Sequence, residues 1–448
     1  MKLDLAGRNG RWLVLAASLL VCFGVWRWAG TILVPEFTAQ AVAKGRPIGN
    51  NSDLYPQWLG TRELLLHGRD PYSADVTRQI QIGYYGRQLD PKKPADPIDQ
   101  VAFAYPLYVV FLLAPSVTLS FASAAAIFRW AQLLGTACSV PLWMYAIGFR
   151  PPRLLVFSGM ILSISTFSAV QEFHMQNLSA LVILLLSAAA AAAVHKWLWL
   201  SGFLLALSTI KPQISGLLIL WFVLWAAGRW RERKHLVWSF VGTMTGLVGA
   251  AEAVSPHWVG RFLKAAAEYQ SYAANPSILQ ALLPSLLATL LTATLVILLA
   301  FQCWRWRESA AGSTDFGWAL AWVSAVTLTI LPKLSAYNQP LLILALLVLV
   351  ANYEIIGKAG LLPRAFIKAA FGCQIWQWVA ALVLALASLP IPAARLHSAA
   401  EVPLFTWLSL PPITLLAVIV ATFPLERAGR RTPSAAVPIP QTLAAPRE

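Results

Sequence analysis

Two ionisable side chains set in apolar surroundings, a carboxylate and a lysine, are the groups in this chain best suited to chemistry. Asp53 lies in the polar and aromatic stretch NNSDLYPQWLGTRELLLHGRDPY, residues 50–72. It directly precedes a run in which Leu54, Tyr55, Trp58, Leu59, Arg62, Leu65 and Leu66 recur at helical spacing. A carboxylate at a helix start has two compatible uses. As an N-cap it accepts hydrogen bonds from free backbone N–H groups. Because the helix N-terminus favours the ionised form, it is also ready to act as a general base. Lys211 interrupts an apolar stretch just ahead of Pro212. It reads either as a polar kink or as a cation for an anionic partner such as a lipid phosphate. Lys333, in LPKLSAYNQP, is a second cation of this kind, and Arg62 and His174 are weaker ones. Gln176 and Asn177 close the segment QEFHMQN, while Tyr105 and Tyr337 add hydroxyls. His174 reads equally well as a plain interfacial histidine, and one histidine with no metal-like spacing around it predicts no metal site.

The surroundings of these groups are a membrane protein's. Of the 448 residues 58% are hydrophobic and 12% charged, and apolar runs long enough to cross a hydrocarbon core of about 30 Å recur along the chain. The formal charge of +15 sits in short clusters between those runs. That is topology under the positive-inside rule and predicts no nucleic-acid partner. The four cysteines, Cys22, Cys138, Cys303 and Cys373, fall in or beside apolar runs without metal-like spacing and imply no disulfide framework.

The expected fold is an all-α polytopic bundle of about twelve spans. Lys2, Arg8 and Arg11 put the N-terminus in the cytoplasm before a first span from about Trp12 to Val34. A long outer loop, residues 35–118, follows; loops of that length in compact proteins are usually functional. Its first helix is expected to lie flat on the bilayer, leucines and aromatics down, with Gln57, Thr61 and Glu63 towards water. A second helix is expected near Val76 to Gln88, and a turn-rich segment from Asp90 to Asp99. FAYPLYVVFLLAPSVTL, residues 103–119, is short for a span and reads as a re-entrant or interfacial piece over the site. Two basic clusters, at His195-Lys196 and in GRWRERKH at 228–235, flank one apolar stretch, so that stretch is expected to be two short spans turning at Lys211. The bundle would occupy residues 1–424, and the Pro/Ala/Arg segment 425–448 reads as a disordered cytoplasmic tail. On this topology Asp53, Glu172, His174, Gln176, Asn177, Lys211, Lys333, Tyr337 and Asn338 all reach the outer face from five segments, a set suited to an anionic lipid headgroup.

Several pieces in order resemble glycosyltransferase family 87: SDLYPQW, HGRDPYS, FAYPLYVVFLLAP, FHMQNLSALVILLL and LSGFLLALSTIKPQISGLLIL, covering residues 50 to about 220. Two places depart from the family's pattern, Tyr105-Pro106-Leu107 for its Tyr-Pro-Pro and Met175-Gln176-Asn177 for its Gly-Gln-Asn. The resemblance implies a GT-C fold in a bacterial inner membrane, with both termini cytoplasmic and the active site on the periplasmic face. It further implies a polyprenyl-phosphate sugar donor, with mannose the family's usual sugar, and an extracytoplasmic glycan or glycolipid acceptor. Asp53 would be the catalytic base of a single inverting displacement, with Lys211 first and Lys333 second at the lipid phosphate. No cofactor is expected. The competing readings are a secondary transporter or lipid-linked sugar flippase, which tend to show internal repeats and midplane polar groups, and a non-enzymatic lipid-binding scaffold.

Overall fold

The computed structural model describes residues 7–43, 52–90, 93, 96–97, 99–272, 276–332, 335–358 and 360–429. They form helices and connecting turns, with no β-strand among the described residues. Apolar sequence dictates this outcome in a bilayer, where a segment must satisfy its backbone polar groups without water.

Helix α1 (Arg8–Trp28) passes through a π-helical turn at Ala29–Leu33 into α2 (Val34–Ala43). Together they make one rod of 36 residues, about 54 Å long and longer than a hydrocarbon core. Trp28, Ala29, Ile32 and Leu33 around the π turn are buried against Phe167, Val170, Ala381 and Ala385. The outer loop supplies α3 (Tyr55–His67), α4 (Ala74–Tyr85) and the short α5 (Val109–Leu113). Pro56 starts α3, and Gly68, in the left-handed region at φ 65°, ends it. Ser73 caps α4 by accepting from the Val76 N–H.

The polar residues of α3 do not face water as expected, and Leu54, Trp58 and Leu64 are buried alongside them. Gln57, Thr61 and Glu63 are 6%, 0% and 7% exposed, whereas Leu65 and Leu66 are 38% and 47% exposed. Of the inward groups, Thr61 donates to the Gln57 carbonyl within the helix at 2.7 Å and Glu63 pairs with Arg69 at 2.9 Å, while Gln57 Oε1 is buried with no hydrogen-bond partner among the described residues. The Trp58 indole N–H reaches the Ser116 carbonyl at 3.1 Å, fastening α3 to the 103–119 segment. Gly60 allows this approach, since a Cβ there would lie 2.4 Å from the Phe103 ring. Gly60→Ala is therefore expected to destabilise the loop by about 1–3 kcal/mol through overpacking. Thermal melting of the detergent-solubilised protein reads this against Gly216→Ala, where a Cβ meets nothing within 4 Å; equal melting temperatures would mean the interface gives way freely.

Val109–Ser116 and the following α6 (Phe121–Ala146) are apolar pieces bent by 116° from one another. Such a bend is that of a broken span or a re-entrant loop; residues 103–119 were expected to be re-entrant or interfacial. Helices α7 (Arg153–Ser163) and α8 (Phe167–Met175) form a second bent pair, at 58°. Three short apolar helices follow: α9 (Ser179–Val194), α10 (Leu198–Ser208) and α11 (Pro212–Gly228). The chain breaks between the last two at Thr209–Lys211, where a turn was expected. Beyond them come α12 (Trp230–Val254), α13 (Trp258–Tyr272), α14 (Ile278–Leu282), α15 (Ser285–Trp306) and α16 (Thr314–Ile330). The chain closes with α17 (Leu342–Ala351), α18 (Tyr353–Gly357), α19 (Leu361–Ala387) and α20 (Leu410–Gly429). Helix α20 runs into the segment expected as a tail, whose remainder lies outside the described residues.

Among the described residues five helices are long and apolar enough to cross a membrane, or up to seven if each bent pair is one span. The protein is thus a membrane protein. The expected count of about twelve is not reached on length. Several apolar runs are broken into short pieces; α10, at 11 residues, is about 16 Å long, and α9, at 16 residues, is mostly buried among other helices. Helix α16 is the most enclosed, with every residue from Phe316 to Thr329 buried. At the basic end of the bundle Arg233 lies over Trp225 at 3.8 Å and donates to the carbonyls of Trp225, Arg307 and Ser309. It satisfies carbonyls left over at the ends of α11 and α15.

Candidate active site

The break between α8 and α9 builds the site. Gln176 takes the left-handed conformation at φ 49° and ends α8. Its side-chain amide donates to the carbonyls of Phe173 and His174 at 2.8 and 2.6 Å, so it shapes the turn. The Met175 carbonyl accepts the Asp53 N–H at 2.7 Å and joins the outer loop to the break.

Asp53 does not serve as a cap. Helix α3 has no side-chain cap at its N-terminus; instead the Asp53 carboxylate accepts from the Asn177 amide nitrogen at 2.8 Å. The oxygen of that amide accepts from the Lys211 ammonium. Only this orientation of the amide serves both neighbours, so Asn177 stands as a polar bridge between a carboxylate and a cation. Lys211, 3% exposed, also donates to the Ser179 hydroxyl and, at 3.0 Å, to Asn338 Oδ1. Its ammonium lies 4.7 Å from the centre of the Tyr337 ring. Ser179 donates to Asn338 Oδ1 at 2.8 Å and closes the cluster.

Each member comes from a place where a helix stops or starts. Ser179 opens α9, Lys211 directly precedes α11, and Tyr337 and Asn338 lie in a 3-10 turn, Ala336–Leu341, ahead of α17. Two helix N-termini thus meet at the ammonium. Their helix dipoles add positive potential, which makes the place suited to an anion. Tyrosines surround the carboxylate side. Burial first, and the Asp53 carboxylate second, push the phenols of Tyr84 and Tyr105 above their ordinary range. Both are neutral near pH 7 and can donate to a hydroxylated ligand. Tyr72 holds the Tyr105 backbone by donating to its carbonyl at 2.7 Å. Arg261 of α13 meets Asp70 at 3.3 Å and brings that helix over the same loop.

Of the residues singled out in the sequence, Asp53, Asn177, Lys211 and Tyr337 come together, and Tyr105 borders them. Gln176 is buried one residue away, in the turn. His174 is exposed beside Phe173, and Arg62 lies 5.4 Å over the Trp58 ring. Neither joins the cluster. Lys333 lies outside the described residues. Ser179 was missed, although its place two residues after Asn177 at the start of an apolar run marks a helix N-terminus. Asn338 and Glu172 stand out in the sequence only as polar groups on the outer face.

A family model described as glycosyltransferase family 87 matches residues 103–332. The chain belongs to glycosyltransferase family 87. The family makes it a membrane glycosyltransferase, a protein with a sugar donor and an acceptor. No curated protein and no solved structure matches it. The matched part of this family 87 chain contains Asn177, Ser179 and Lys211, while Asp53 and Tyr337 lie on either side of it.

Proposed function

We propose that this family 87 enzyme moves a hexosyl unit, mannose foremost, from a polyprenyl-phosphate donor to a glycan or glycolipid acceptor. The single observation that carries this reading is the Asn177 amide, which joins the Asp53 carboxylate to the Lys211 ammonium. A base and an anion-stabilising cation joined through one amide are suited to the two ends of one displacement. The acceptor hydroxyl gives its proton to Asp53 as its oxygen attacks the anomeric carbon. The bond from that carbon to the phosphate oxygen breaks, and its electron pair leaves with the lipid phosphate. Lys211, the Ser179 hydroxyl and the two helix N-termini offset the charge gathering there. Attack opposite the leaving group inverts the anomeric centre. The neutral phenols of Tyr84 and Tyr105 are suited to orient the acceptor, and the apolar faces between spans to hold the polyprenyl tail.

The test is transfer by the purified protein from a short-chain polyprenyl phosphate mannose to a mixed glycan and glycolipid pool. Formation of a mannosylated product with inverted configuration is expected. Binding of the lipid without transfer from any sugar would overturn the reading.

The reaction is placed at the periplasmic face of a bacterial inner membrane, both termini being cytoplasmic. The cluster at Arg229 to His235 supports this under the positive-inside rule. His257, whose side chain is 95% exposed between α12 and α13, then lies outside. In a cysteine-free background His257→Cys is expected to react with an impermeant maleimide in intact cells, and Arg231→Cys only after permeabilisation. The opposite pattern would invert the topology.

A further inference from the structure

Arg129 is a cation set in an apolar helix, and the displacement does not use it. It lies in α6, about 12 Å along the axis from the end that carries Phe121. There Phe121 packs edge-on against Tyr55 of α3, ring centres 4.8 Å apart. The side chain of Arg129 is half-buried. Its guanidinium lies 5.8 Å from the centre of the Phe173 ring, and its Nε is enclosed without a hydrogen-bond partner. No hydrogen bond or ion pair joins Arg129 to another of the described residues. One ring contact offsets only part of the cost of a cation at membrane depth, where an arginine ordinarily has an anion or a carbonyl to pair with.

The surroundings say which anion fits. Phe173 is boxed edge-on by Trp26 at 5.0 Å, Trp130 at 5.8 Å and His174 at 5.5 Å. Trp130 is 63% exposed, and His174 is exposed as well. Tryptophans on the outside of a membrane protein gather at the level of the lipid headgroups. Ala126 and Ala122, one and two turns nearer Phe121 on the face of Arg129, are exposed too. Small side chains thus leave the guanidinium open from that end. Gln132, one turn further on, donates to the Asn177 carbonyl at 2.5 Å, so the place adjoins the turn that carries the Asp53 and Lys211 cluster.

We infer that Arg129 holds the phosphate of a membrane lipid at a second anionic site, beside the Phe173 ring and rimmed by His174 and Trp130. Lipid phosphates are the anions a bilayer supplies at this level. The planar guanidinium offers a fork of donors matched to phosphate oxygens. Ile127 and Leu134, exposed on the Trp130 side of α6, are placed for the lipid chain. The site stands independently of any role for Lys211 at the donor phosphate.

The experiment titrates the delipidated full chain, in a neutral detergent, with short-chain phosphatidylglycerol, with short-chain polyprenyl phosphate and with inorganic phosphate. Native mass spectrometry counts the bound molecules in wild type, Arg129→Gln, Arg129→Lys and Lys211→Met. Wild type is expected to take up a lipid phosphate that Lys211→Met retains and that Arg129→Gln holds about tenfold more weakly, as for the loss of one charge-assisted hydrogen bond. Arg129→Lys keeps the charge and loses the fork, and should fall between the two. Millimolar inorganic phosphate should not compete, since it has no chain to bury. Preference for phosphatidylglycerol would make the occupant a resident phospholipid. Preference for polyprenyl phosphate would make it a substrate lipid held outside the cluster, and either result carries the inference. Equal affinities in wild type, Arg129→Gln and Arg129→Lys would overturn it and leave Arg129 merely turned towards the headgroup layer. Loss of all bound lipid phosphate in Lys211→Met would overturn it as well, as would displacement by inorganic phosphate alone.

Discussion

Asp53→Asn is expected to remain folded, to bind the lipid donor, and to transfer sugar about 10²–10⁴-fold more slowly than wild type, the usual contribution of a general base. The substitution isolates the chemistry. Asn177 donates to Asp53 Oδ2 at 2.8 Å, and the oxygen of an asparagine at position 53 can accept the same bond. The Asp53 backbone N–H, bound to the Met175 carbonyl, is untouched, and α3 takes no side-chain cap from this residue. What disappears is the ability to take a proton. Initial rates with saturating donor, alongside donor binding and thermal melting, separate the cases. Turnover within a fewfold of wild type would remove Asp53 from the base role. Lost melting cooperativity would assign it to the loop instead.

Lys211→Met is expected to lower turnover about 10²–10³-fold, comparable with removing one preorganised group that stabilises developing negative charge, and to weaken donor binding as well. Methionine keeps most of the side chain's volume in a site that is 3% exposed and removes only the charge and its donors. The ammonium now donates to Asn177, Ser179 and Asn338, so its loss also leaves three oxygens short of a donor. Some loss of stability is expected with it. The decisive reading is the ratio between leaving groups. A donor whose leaving group is intrinsically better should recover part of the lost rate in Lys211→Met and gain little in wild type. Equal losses with both donors would mean that the lysine only joins helix ends.

Local chemistry is what the sequence by itself determined here. Pro56 and Gly68 bound a helix, Ser73 caps the next, and Lys211-Pro212 breaks an apolar run, because each acts through its own backbone or its nearest neighbours. The residues of the cluster that were named in advance were legible for a related reason: polar groups are costly in apolar surroundings and stand out. Tertiary structure alone decided the rest. Asp53 meets Asn177, 124 positions away, and no local pattern tells a capping carboxylate from one turned to a distant amide. Ser179 and Asn338 become ligands of the ammonium only where two chain breaks coincide. The burial of Gln57, Thr61 and Glu63 followed from the packing of α3 within the folded loop and from the close fit of Gly60 on Phe103. Hydropathy gave more spans than the test of length because a short helix enclosed by protein, such as α9, is as apolar as one facing lipid; only packing distinguishes them.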